Sequence, residues 1–82
     1  MERVYFVQPY DNRASRIISR PVRSCASAEA ARRLGARMAV RCSGVVVGWQ
    51  DYDAASGRGG RPQVLALHGS VPEGWTAVPR AA

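Results

Sequence analysis

The sequence predicts an α+β domain in ββαββ order: an antiparallel sheet of up to four strands with one helix packed on one face. Three observations lead there. Residues 3–9 alternate with period two in a run rich in strand formers, and SAEAARRLGARMAVRC (27–42) switches to a period near 3.6. The runs VVVGWQDY (45–52) and QVLALH (63–68) then return to strand-forming composition on either side of a Gly-rich stretch. The 82 residues are enough for one small core and not two. The domain is expected over residues 1–72, with 73–82 an extended C-terminal tail whose two prolines and lack of periodicity fit no regular element.

In the first strand, Val4, Phe6 and Gln8 fall on one face and Tyr5, Val7 and Pro9 on the other. Tyr10, Asp11 and Asn12 carry turn chemistry, so a hairpin is expected there, returning through SRIISR (15–20). Pro21 restricts that second strand to a sheet edge. Ser27 is the expected N-cap, with Glu29 in the first turn where the helix dipole favours an anion. Ala31, Leu34, Met38 and Cys42 then share a face, and Gly44 is the expected stop. Gly35 beside that face predicts close packing of helix on sheet. On strand four Leu65 and Leu67 should share one side, and Val64, Ala66 and His68 the other. The ten-residue connector DAASGRGGRP reads as a mobile hairpin loop.

Composition sets further bounds. Of the 46% hydrophobic residues, 13 are Ala, while Leu, Ile, Val and Phe number 16, so the core is thin. A core of that size rarely supplies more than about 3–5 kcal/mol, which favours a partner, with a homodimer as one form. The net charge is +6 and every basic residue is Arg. That suggests an acidic partner, although Arg and Ala together make up 25 of 82 residues, the bias a GC-rich coding sequence imposes by itself. Cys25 and Cys42, placed at opposite ends of the expected helix and roughly 25 Å apart, are out of disulfide range. Two thiols and no secretory or membrane-spanning run point to a reducing cytoplasm.

No catalytic pattern emerges. His68 is the lone histidine, and the Cys spacing suits no metal. Asp51 and Asp53 lie two apart at a strand end, a position that leaves paired carboxylates in water. The chain is therefore read as a non-enzyme with no cofactor, no metal and no membrane partner. Two surfaces remain. Arg33, Arg37 and Arg41 repeat every four residues along one helix flank, with Arg58 and Arg61 of GRGGRP as minor additions, and offer a face for nucleic acid or another acidic partner. Arg13, Arg16, Arg20 and Arg23 could extend it. Tyr5, Trp49 and Tyr52 are candidate interface aromatics on a sheet face that one helix cannot cover.

The segments YFVQPYD, SAEAARRLGARMA, GVVVGWQDYDAASG and RPQVLALHGSVP together resemble small uncharacterised proteins of GC-rich alphaproteobacteria, over nearly the whole chain. The resemblance implies a bacterial, cytoplasmic, stand-alone domain and brings no activity with it. The expected function is a small non-enzymatic interaction module working through contacts with itself or another protein. The alternative is a basic nucleic-acid-binding accessory protein.

Overall fold

The computed structural model describes residues 2–75. They form an α+β fold in which one helix packs against a curled antiparallel sheet of six strands: β1 (Glu2–Arg13), β2 (Arg16–Ser19), β3 (Arg23–Cys25), α1 (Ala28–Met38), β4 (Gly44–Asp53), β5 (Arg58–Gly59) and β6 (Gln63–Gly69). The long strands β1 and β4 are central and pair from Glu2↔Tyr52 to Tyr10↔Gly44. On one side β1 takes β2 and then β3, and on the other β4 takes β6 and then β5.

Alternation on β1 and β4 divides the core into two clusters. Val7, Val45 and Val47 meet Ala31 and Cys42, with Leu34 and Met38 alongside. The opposite cluster holds Tyr10, Val46 and Val64, with Phe6, Leu67, Val71 and Trp75 packed on it. The run of valines in β4 thus fills both clusters, as a strand apolar on both faces must.

The helix begins where its cap predicts: Ser27 is extended and its hydroxyl accepts from the Ala30 N–H at 3.0 Å. Gly35 is buried, and a Cβ placed on it would run into Val47 Cγ2. The helix stops at Met38, a turn short of the expected Cys42. A tight turn follows, in which the Cys42 N–H donates to the Met38 carbonyl at 2.8 Å. The chain has to double back here, because Gly44 is held between Tyr10 and Gly69 and a further helical turn would carry it past them. Cys25 and Cys42 are both free thiols packed in the same cluster, so the separation inferred from a helix reaching Cys42 does not apply.

Four other expectations are corrected. Tyr10, Asp11 and Asn12 continue β1, because Tyr10 is buried and the Asn12 N–H donates to Ser43 Oγ at 3.0 Å. The turn is instead the two-residue Ala14–Ser15, with φ of 50° and 66° between the paired Arg13 and Arg16. The connector after β4 is a built hairpin. The Asp53 carboxylate accepts from the Ala55 N–H at 3.1 Å and the Ser56 hydroxyl at 3.0 Å, and Gly57 supplies φ 72°. Arg58 and Gly59 then pair back onto Asp53 and Tyr52.

On β6, Val47 faces Ala66 but Gly48 faces Val64, so Leu65 is the extra residue of a bulge. That change of phase puts Leu65 with Ala66 in the helix-side cluster, and Val64 with Leu67 in the other. Lastly, the sheet face away from the helix is partly covered by the chain itself. Trp75 Nε1 donates to the Tyr10 hydroxyl at 2.9 Å, and its ring lies 6.1 Å from that of Phe6. The rest of the expected tail, residues 76–82, lies outside the described residues.

Candidate functional site

The arginine arrangement is set by a defect in the edge strand. The Arg20 N–H donates to the Pro9 carbonyl at 3.0 Å, while Arg23 stands opposite Val7. Pro21 and Val22 therefore share the single partner Gln8, a bulge at the place where a proline interrupts the ladder. Gln8 Nε2 fills the gap, donating to the Arg20 carbonyl at 2.6 Å and the Pro9 carbonyl at 3.0 Å. In an unbroken strand, residues 20 and 23 would point to opposite faces. The extra residue brings both to the side of Val7 and Pro9, where the helix lies.

The last helical turn and the turn after it present Arg37 and Arg41 to the same place. Arg20, Arg23, Arg37 and Arg41 line a cleft of about 650 Å³ whose apolar surface comes from Leu34, Met38, Val40 and Cys42. Val40, 87% exposed, stands at its rim. Among the described residues Arg23, Arg37 and Arg41 make no ion pair, and Arg20 has a loose one to Asp11 at 3.6 Å and an approach of 4.0 Å to Cys42 Sγ. The carbonyl end of the helix, equivalent to roughly half a negative charge, offsets part of the repulsion among these cations. It does not neutralise four guanidinium groups. Among the described residues no carboxylate lines the cleft, and four guanidinium groups around an apolar floor can accept an anion that carries an apolar group.

The other candidate residues lie elsewhere. Arg33 pairs with Glu29 at 2.7 Å on the exposed side of the helix and does not line the cleft. Arg58 and Arg61 lie near the Tyr52 end of β4. Eight residues separate that end from Gly44, about 26 Å of strand. Tyr5 packs beside the helix-side cluster and Tyr52 is exposed. Trp49 lies under Arg3, whose guanidinium carbon is 3.8 Å from the ring centroid.

Arg3 Nε also donates to Asp51 Oδ1 at 2.9 Å. This hydrogen bond holds the Asp51 carboxyl below its ordinary range and raises the Arg3 guanidinium. Asp53 is committed to its turn, so the two carboxylates serve separate structural contacts. Among the described residues there is no group of three or more His, Cys, Asp and Glu side chains able to hold a metal, and no helix long and apolar enough to cross a membrane.

Spacing along the helix picks out Arg33, Arg37 and Arg41, of which the last two line the cleft. Sequence offers Arg20 and Arg23 only as an extension of that surface, because their convergence with Arg37 and Arg41 depends on the bulge. Pro21 inside a strand-forming run is the signal that could have revealed it, since a proline there marks a change of phase. No protein-family model, no curated protein and no solved structure matches the chain.

Proposed function

We propose that the protein is a non-enzymatic interaction module whose working surface is the arginine-lined cleft and whose partner is an acidic protein. The observation that carries this reading is the convergence of Arg20 and Arg23 from the edge strand with Arg37 and Arg41 from the helix end, around apolar Leu34, Met38 and Val40. Guanidinium groups make charge-assisted, often bidentate, hydrogen bonds to carboxylates, and the apolar floor suits a partner that brings aliphatic side chains with its charges. Support for a non-enzymatic role is that Asp51 and Asp53 are each engaged in holding the fold.

Nucleic-acid binding is the competing reading. Single strands are gripped by basic grooves interleaved with aromatic rings on which bases stack. Among the described residues no aromatic side chain lines this cleft, and Trp49 is already stacked under Arg3. That favours a protein partner.

The test compares polyglutamate with a single-stranded oligonucleotide of similar charge, by fluorescence anisotropy on the whole protein. Polyglutamate should bind, weaken several-fold as salt rises from about 50 to 200 mM, and release in the Arg23→Ser/Arg37→Ser/Arg41→Ser variant. Binding of the oligonucleotide alone, lost in the same variant, would transfer the cleft to nucleic acid. Binding of neither would remove the function assigned to it.

A further inference from the structure

The cleft continues along the β1–β2 hairpin. Residues directly opposite in an antiparallel pair share a face. Arg13 stands opposite Arg16, Asp11 opposite Ile18, and Pro9 opposite Arg20 by the hydrogen bond between them. Alternation along β1 places Arg13, Asp11, Pro9 and Val7 on one side, so Arg16, Ile18, Arg20 and Arg23 follow on that side too. The result is a row of arginines about 20 Å long at strand spacing, from the hairpin tip to the cleft. Ile18, 44% exposed, interrupts it as an apolar contact midway, and Asp11, engaged with Arg20, is its single acid.

The outer end of this row is arranged at a cost to the fold. Arg13 and Arg16 are a like-charge pair directly opposite each other, which destabilises a hairpin. Between them Ala14 and Ser15 hold left-handed backbone without glycine. An anion bound between the two guanidinium groups would relieve the first of these costs.

We infer that the row and the cleft form one continuous site for an extended acidic peptide segment of about seven residues or more, in which every second side chain faces the row and these alternate between carboxylate and aliphatic. The carboxylates meet Arg13 and Arg16, then Arg20 and Arg23. The aliphatic groups meet Ile18 and, at the cleft, Met38 and Val40. This inference rests on the reading of the cleft as a site for an acidic protein, and adds to it the length and pattern of the segment bound.

The experiment uses two peptides built on a Glu-Ser-Leu-Ser repeat, which places Glu and Leu in turn on one face of an extended chain, of about four and about ten residues. These reach about 13 and 33 Å when extended, so only the longer spans both ends. Affinities are measured by anisotropy on the full chain and on two variants, Arg13→Ser/Arg16→Ser and Ile18→Ser, with circular dichroism to confirm that each remains folded. The longer peptide should bind at least about tenfold tighter. The Arg13→Ser/Arg16→Ser variant should abolish most of that advantage while leaving the short peptide unchanged, and Ile18→Ser should weaken the longer peptide alone. Equal affinity of the two peptides, or indifference of the longer one to both variants, overturns the extended site and leaves the cleft as the whole of it. Failure of both peptides alongside binding of an oligonucleotide of matched length overturns the extended site together with the reading on which it rests.

Discussion

Replacing Gly35 by Ala tests how closely the helix is seated on the sheet, because two effects of known sign compete at this position. In a solvent-exposed helix the change would stabilise by about 1 kcal/mol, the propensity difference between the two residues. Here the added Cβ runs into Val47 Cγ2, with Val45 Cγ1 3.7 Å away. Val47 is fully buried in the middle of β4, so the valine cannot swing into free space. Overpacking of this kind costs typically 1–3 kcal/mol, which leaves a net loss of about 1 kcal/mol. For a domain of this size that corresponds to a fall in Tm of about 4–8 °C. Urea unfolding followed by tryptophan fluorescence would measure it. The decisive comparison is the same substitution in a Val47→Ala background, where the obstructing methyl groups are gone. There Gly35→Ala should become neutral or stabilising, a coupling of about 1–2 kcal/mol between the two sites. If Gly35→Ala stabilises the wild-type chain, or costs the same in both backgrounds, the contact with Val47 is not the reason glycine occupies this position.

Two further perturbations follow from the fold. Ala14→Asn with Ser15→Gly gives the β1–β2 turn the residues its positive φ angles favour, and should raise unfolding stability by about 1–2 kcal/mol in denaturant melts. The Asp51 carboxyl, lowered by the hydrogen bond from Arg3, contributes stability that is present above its ordinary value of 3.8 and is lost as pH falls through the lower folded value. Asp51→Asn should remove that part of the acid limb and leave the profile near neutrality flat, as read from urea midpoints between about pH 2 and 7.

The parts of this fold that sequence anticipates are those governed by local rules. Ser27 caps the helix because its hydroxyl is the available acceptor for orphaned N–H groups, and Gly35 lies against the sheet where any Cβ would meet Val47. Local rules fail where distant pairing overrides preference. Asp11 and Asn12 have turn chemistry, yet Asp11 faces Arg20 and Asn12 is held by Ser43, 31 residues away, so the turn moves to Ala14 and Ser15, which have little preference for it. Leu65 reads as one more alternating residue until its register against Val47 and Gly48 is known.

For the candidate site, the four-residue repeat on the helix picks out Arg33, Arg37 and Arg41, of which Arg37 and Arg41 line the cleft and Arg33 is paired with Glu29 outside it. The convergence of Arg20 and Arg23 with them depends on which strand lies beside β1 and on the pairing of two residues against one at Gln8. Neither is a property of any short window of sequence.

The bulge at Pro21 and Val22 works as slack in the ladder. Because both residues answer to Gln8, loss of either codon would leave Arg20 and Arg23 two apart in a regular strand, still opposite Pro9 and Val7 and still on the helix side. Composition and net charge would be nearly unaltered, and so would the cleft's positive wall. Pairing with β1 fixes the way these arginines face, so the edge strand can absorb a one-residue change of length at this point without turning over.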